Sequence, residues 1–326
     1  MIAEAWPPVP PRIPEAEVGF GEPQAVGGAS TVYTVLGQRK SLLYKRYSEP
    51  HVAAELDRLV SKYSGMAPKA AAYARTHLAW PVAAVCDGDH VVGVLVVRAG
   101  QEFHVTLSAS RTRVRDFNFL LYEKRAEKLG VERATDRQKV ELLRGLVDVL
   151  SWLDERGLVH EDLAAHNVLW RLDPPSVFVL DCDSLRSLAE SSKQPLYTTV
   201  DWTDPRVLTN DVDRPDGAST SYVLGLLAAR TLVSPYWHPG DTLPADRFPA
   251  ALTQMVARAH GPAEDRPSLP EWGRALDGAL AQTTGTVVEP ASVGDPDATK
   301  RADHVAFLVG LTVGVALAVF VLVRFV

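Results

Sequence analysis

The sequence predicts an α+β fold with its strands first, its helices after them, and an apolar tail at the end. Three observations predict it. Between residues 27 and 97, β-branched runs alternate with turns that carry Gly and Asp. From Gln138 onward, apolar residues recur every three or four positions, the period of a buried helix. Residues 305–323 contain no charged side chain at all.

A chain of 326 residues holds one two-part domain with room for a tail. The apolar fraction of 46% is ordinary for a globular protein. A formal net charge of −6 argues against a general nucleic-acid binder, which carries a basic excess. The two cysteines, Cys86 and Cys182, stand in separate apolar runs, so a reducing compartment is expected and a disulfide scaffold is not. No Cys/His cluster has zinc spacing. The N-terminus lacks a basic start followed by an apolar stretch, so no cleaved signal peptide is expected.

Residues 1–16, with Trp6-Pro7-Pro8-Val9-Pro10-Pro11 and Pro14, are short of ladder donors and are expected to be a disordered, Pro-rich arm. The run through Val32-Tyr33-Thr34-Val35 and the run Leu42-Leu43-Tyr44-Lys45-Arg46-Tyr47 read as a hairpin turning at Gly37-Gln38, entered through Gly27-Gly28. Lys45 lies in an apolar strand, where an ammonium is costly without a partner charge. Ser48-Glu49-Pro50 starts a helix whose apolar face is Val52, Leu56, Leu59, Val60 and Tyr63, ended by Gly65. Glu55 sits at the margin of that face and is the candidate partner for Lys45, with Glu49 as the alternative.

Residues 80–86 and 90–97, joined by Asp87-Gly88-Asp89, form a second hairpin. A polar, basic stretch around Arg111-Thr112-Arg113-Val114-Arg115 follows, with one helix expected over residues 117–129. Residues 138–156 are a core helix, with Val140, Leu143, Val147, Leu150 and Leu153 on one stripe widened by Leu146, Val149 and Trp152.

That helix delivers His160-Glu161-Asp162-Leu163-Ala164-Ala165-His166-Asn167, which runs into a strand. A second strand over residues 177–180 delivers Asp181-Cys182-Asp183. A carboxylate, an amide five residues later and another carboxylate beyond the next strand suit phosphoryl transfer. Asp162 can orient an attacking hydroxyl and accept its proton, while Asn167 and Asp181 can hold Mg²⁺ against a nucleotide's phosphates. Such a site works by positioning and charge neutralisation, so it needs oxygen ligands at fixed places more than a strong nucleophile.

On these residues the chain resembles a protein kinase of the eukaryotic-like type found in bacteria. His160-Glu161-Asp162 stands where that family has H-R-D, Asn167 at the loop Asn, and Asp181-Cys182-Asp183 at D-F-G. The resemblance implies a two-lobed kinase-like fold: an antiparallel-sheet N-lobe over 17–100 and a mostly helical C-lobe over 101–282. It implies ATP and Mg²⁺ as cofactors and a protein Ser/Thr hydroxyl as acceptor. Lys45 would meet the α- and β-phosphates, held by Glu55, and Gly27 and Gly28 would begin the loop over the phosphates. Arg98-Ala99-Gly100 would be the hinge. Tyr197, Thr198 and Thr199 lie in the activation-segment position, and Glu264-Asp265-Arg266-Pro267-Ser268 resembles the family's late R-P-S segment.

Departures accompany the likeness. Ala25 and Ser30 stand at two of the three usual glycines. Glu161 replaces the arginine that pairs with a phosphorylated segment, Ala164 replaces a γ-phosphate lysine, and Asp183 replaces a mobile glycine. Thr220 stands at a customary aspartate. Arg206 replaces the glutamate that pairs with the late arginine, here Arg266, and leaves Asp204 as the substitute. Two rivals follow: a pseudokinase that binds nucleotide as a membrane scaffold, and a small-molecule phosphotransferase of the aminoglycoside-kinase type. The R-P-S segment favours the protein kinase over the latter.

Residues 283–304, rich in Thr, Gly, Pro, Asp and Ala, are expected to be a flexible linker. Residues 305–323 would reach roughly 28 Å as a helix, about one hydrocarbon core, and are expected to span a membrane. Lys300 and Arg301 precede them and Arg324 follows, so the N-terminal side is expected in the cytoplasm.

Overall fold

The structure, a computed structural model, describes residues 9–49, 53–189, 192, 195–245 and 249–282. Its architecture is α+β, with one mixed six-stranded sheet, three small two-stranded sheets and nine α-helices among the described residues. The expected linker and the apolar segment 305–323 lie outside the described residues. Among the described residues no helix is long and apolar enough to cross a membrane. The chain divides into two compact units, one running to Ala99 and rejoined by Ser192 and Pro195, the other starting at Gly100.

The first unit contains β1 (Arg12–Pro14), β2 (Phe20–Val26), β3 (Ser30–Val35), β4 (Leu42–Tyr47), α1 (Ala53–Ser64), α2 (Pro68–His77), β5 (Pro81–Asp87) and β6 (His90–Val97). Its sheet runs β1-β5-β6-β4-β3-β2. The two expected hairpins form, β3 with β4 and β5 with β6, and β4 joins them by pairing with β6.

The expected disordered arm over residues 1–16 is corrected in its second half. β1 pairs in parallel with β5, Arg12 opposite Ala84 through Pro14 opposite Cys86. Proline is tolerated there because β1 is an edge strand, whose outer N–H groups need no ladder partner. Ile13, fully buried, supplies the apolar burial that holds it. Arg12 Nε donates to Asp57 Oδ1 of α1 at 3.1 Å, a second tie. Residues 1–8 lie outside the described residues.

One face of this sheet is covered by α1. Leu56 and Val60 of α1 pack with Tyr47, Ala84, Cys86, Val91, Val94 and Val96, and Leu43 joins them. Trp80 Nε1 donates to Leu59 O at 3.1 Å, satisfying its buried indole. Across the opposite face, Tyr44 and Arg46 both donate to Glu15 Oε1, at 2.5 and 2.7 Å. Gly93 is demanded by the crowding here, since a Cβ would lie 2.5 Å from both Lys45 O and the Tyr44 ring.

The second unit contains β7 (His104–Thr106), β8 (Thr112–Val114), α3 (Asn118–Leu121), α4 (Glu123–Lys128) and α5 (Asp136–Asp154). After these come β9 (Leu158–His160), β10 (Val168–Leu172), β11 (Pro175–Val179), β12 (Leu185–Ser187), α6 (Pro205–Leu208), α7 (Gly217–Leu232), α8 (Ala250–Ala259) and α9 (Leu269–Gln282). The single helix expected over 117–129 is broken into α3 and α4 at Tyr122, whose φ of −102° and ψ of 51° leave the helical region.

α5 is the central rod. Thr135 accepts from Gln138 N while Gln138 caps the Thr135 N–H in return, a capping box that fixes its start. Its stripe is buried as expected, including Val140, Leu143, Leu146, Val147, Leu150 and Leu153. α7 is buried on nearly every side, and α9 docks through the fully buried Trp272, whose Nε1 donates to Ser221 Oγ of α7 at 2.9 Å.

Candidate active site

In the second unit, α5 leads through Gly157, at φ +65°, into β9, and β9 ends at His160. The turn that follows is pinned to the end of β11 from two sides. His160 Nε2 meets Leu180 O at 2.9 Å, so that nitrogen carries the proton, and Leu180 N donates to Asn167 O at 2.8 Å. Leu180 is therefore held at both its N–H and its C=O, and the next residue is Asp181. The sequence-expected Asp162, Asn167 and Asp181 are thus carried on segments that bond directly to one another.

Asn167 is buried, and its side-chain orientation is fixed. Its Nδ2 donates to Asp162 O at 2.7 Å and approaches Asp162 Oδ2 at 3.4 Å. Its Oδ1 is thereby turned away and accepts no hydrogen bond from the described residues. An amide oxygen in that state is a hard donor suited to a hard cation. The Asp181 carboxylate is the other oxygen donor of this kind that the neighbouring segment carries, and the two residue types together could hold a hard divalent cation.

Asp181 has φ +57° and ψ 33°, in the left-handed region. For a residue with a Cβ that costs on the order of 1 kcal/mol or more, least for Asn and Asp. The strain is held by Ser184, whose N–H and Oγ both donate to Asp181 O, at 3.0 and 2.7 Å. Asp183 lies in the short 3-10 turn Cys182–Ser184, and Cys182 is fully buried with its thiol directed at Val179 O.

Asp162 is half-buried and has a partner that sequence reasoning did not assign. Thr199 N and Thr199 Oγ1 both donate to Asp162 Oδ1, at 2.8 and 2.9 Å. The sequence marked Thr199 only as one of three hydroxyls in a polar stretch. Because the contact spans 37 residues, no local pattern could have singled it out.

Two ion-pair clusters brace this region. Glu161, nine-tenths buried in its side chain, accepts from Arg186 Nε at 2.6 Å and from Arg214 Nη1 at 2.9 Å. A carboxylate thus links the β9 turn, β12 and the approach to α7. In the second cluster Asp204, with no exposed side-chain surface, accepts from Arg266 Nη1 at 2.6 Å, Arg206 Nη2 at 2.8 Å and Ser219 Oγ at 2.8 Å. Burial pushes the Asp204 carboxyl up, but the hydrogen bonds from Arg266, Arg206 and Ser219 outweigh it and hold the group below its ordinary value. Asp204 is the partner of Arg266, and Arg206 joins the pair instead of breaking it.

The other expected residues stand in the first unit. Lys45 lies on β4 opposite Val32 and Val94, on the sheet face that carries Leu43 and Tyr47, the one α1 covers. Glu55 is in the first turn of α1, half-buried, one residue before the buried Leu56, and accepts from Ser192 Oγ at 2.7 Å. Gly27 and Gly28 form the tip between β2 and β3, where Gly27 N donates to Ser30 O at 2.8 Å and Ser48 Oγ reaches Gly28 O at 3.4 Å. No protein-family model matches the chain, and no curated protein matches it.

Proposed function

We propose that the chain is an ATP- and Mg²⁺-dependent protein kinase of serine/threonine type, with a two-lobed kinase-like fold, tethered to the cytoplasmic face of a membrane by residues 305–323. The observation that carries the reading is the pinning of Leu180 from both sides. It fixes the Asp162 and Asn167 turn against the residue preceding Asp181 with two short hydrogen bonds. A polar turn with no chemical duty does not need that constraint, nor a strained aspartate at its end.

In this reading Asp162 orients the acceptor hydroxyl and takes its proton as the oxygen attacks the γ-phosphorus, while the bond from that phosphorus to the β–γ bridging oxygen breaks and ADP leaves. Thr199 donates twice to Oδ1 and so fixes the carboxylate plane, which leaves Oδ2 as the working oxygen. Asn167 Oδ1 and the Asp181 carboxylate would hold the Mg²⁺, which would neutralise charge on the phosphates. Lys45 meets the α- and β-phosphates, Glu55 steadies Lys45, and Gly27 and Gly28 let backbone N–H groups approach the phosphates.

A second reading, a nucleotide-binding scaffold without transfer, has one observation in its favour. Thr199 already occupies one oxygen of the proposed base. Transfer of labelled γ-phosphate by the full chain, to itself or to mixed protein acceptors, separates the two. The kinase reading expects incorporation by the wild type and a loss of at least about a hundredfold in Asp162→Asn. Binding of Mg·ATP with no transfer to any acceptor favours the scaffold. Transfer to small hydroxylated compounds alone would point to the small-molecule phosphotransferase.

A further inference from the structure

Glu55 has a partner to which the kinase reading gives no role. Ser192 Oγ donates to Glu55 Oε2 at 2.7 Å, a side-chain contact across 137 residues of chain. Ser192 stands in the run between β12 and the 3-10 turn Val200–Trp202. The chain before and after it belongs to the second unit, yet Ser192 and Pro195 group with the first. That grouping sets a hydroxyl of this run against the first turn of α1.

The backbone under Glu55 is already fixed. Leu56 and Val60 hold α1 on the sheet by packing with Tyr47, Ala84, Val94 and Val96. What remains free at Glu55 is its side chain, and a glutamate gives up much rotamer freedom when it pairs. A hydrogen bond to an ionised carboxylate is among the stronger ones, so Ser192 takes up that loss before a nucleotide arrives. It does so as a neutral donor. The carboxylate is oriented but keeps its whole charge for an ammonium, whereas a lysine or arginine in the same place would compete with Lys45 for it. Lys45 stands on β4, on the sheet face that α1 covers.

We propose that Ser192 is a positioning residue for nucleotide binding: its hydroxyl aims the Glu55 carboxylate at the Lys45 ammonium. The inference rests on the kinase reading, which pairs Lys45 with Glu55. The run after β12 thereby sets how firmly the α- and β-phosphates are held, although it supplies no group that touches them.

The test is calorimetric titration of Mg·ATP into the full chain as a double-mutant cycle, with thermal melts run alongside. Ser192→Ala should weaken binding about fivefold, the low end of coupling between two sites. In a Glu55→Gln background, where no charge is left to aim, Ser192→Ala should cause no further loss. Ser192→Thr keeps the hydroxyl and should bind as the wild type does. Ser192→Asp sets a second negative charge beside the first and should lose more than Ser192→Ala. If Glu55→Gln weakens binding and Ser192→Ala does not, the inference is overturned and the kinase reading stands. An equal loss from Ser192→Ala in both backgrounds also overturns it, because Ser192 then acts on the fold and not through Glu55. A wild-type chain that binds no nucleotide removes the kinase reading and this inference together.

Discussion

Asp204→Ala is the sharpest structural test. The side chain is wholly buried and accepts from Arg266, Arg206 and Ser219, besides capping the first turn of α6 through Arg206 N. Its removal leaves Arg266, itself 6% exposed in its side chain, as a buried cation without its carboxylate. Breaking a buried pair from one side costs about 3–5 kcal/mol, and part of that includes the roughly 1 kcal/mol of a lost cap. For a body of this size, about 4 kcal/mol corresponds to a fall of about 8–16 °C in Tm. Urea and thermal melts of the full chain, followed by circular dichroism, measure it. The pH dependence has a definite sign. A carboxyl held below its ordinary value stabilises the fold above that value, and the benefit is lost as pH falls through the folded pKa. The gap between wild type and Asp204→Ala should therefore be full at neutral pH and narrow in acid. A loss below about 1 kcal/mol, or a gap that does not change with pH, would refute the network's role.

Further outcomes follow from the same reasoning. Glu161→Gln leaves Arg186 and Arg214 without their shared charge and should cost about 3 kcal/mol in the same melts. Ile13→Ala should cost about 2–4 kcal/mol in denaturant unfolding if β1 is a packed strand, and nothing if the arm is loose. Burial raises the Asp116 carboxyl from 3.8 to about 7, so its contribution to stability is full below pH 4 and fades as pH rises through 7. Asp116→Asn should therefore raise Tm at pH 8, by the equivalent of about 1–3 kcal/mol, and leave it unchanged at pH 4. His260 has the opposite requirement. Burial lowers it to about 4, so it favours the folded state above its ordinary pKa of 6.5, and that contribution is lost as pH falls from there toward 4.

Elements governed by periodicity were legible in the sequence. The α5 stripe, both hairpins of the first unit and the β11 strand before Asp181 emerge where the apolar pattern puts them. The expected grouping of Asp162, Asn167 and Asp181 lies within some twenty residues of chain, and the backbone bonds of Leu180 tie the turn that carries the first two to the residue before the third. What escaped depends on distant partners. Proline composition disguised β1, whose strand character comes from Ile13 sinking beside β5. Thr199 meets Asp162 across 37 residues, and the arginines on Glu161 come from 25 and 53 residues away. The break at Tyr122 lies in a run whose composition alone would sustain one helix. Asp204 is the intermediate case: the misplaced Arg206 raised it as a substitute, and the fold supplied Arg266 and Ser219 around it.

The kinase proposal requires Lys45 and Asp181 each to be needed for binding of a magnesium-bound nucleotide. Calorimetric titration of ATP into the full chain, with and without Mg²⁺, tests it through Lys45→Met and Asp181→Asn. The account predicts Mg²⁺-dependent binding by the wild type. It predicts at least a tenfold loss in each variant, about 1.4 kcal/mol, and no Mg²⁺ dependence left in Asp181→Asn. Absence of nucleotide binding, or equal affinity in wild type and both variants, would contradict it.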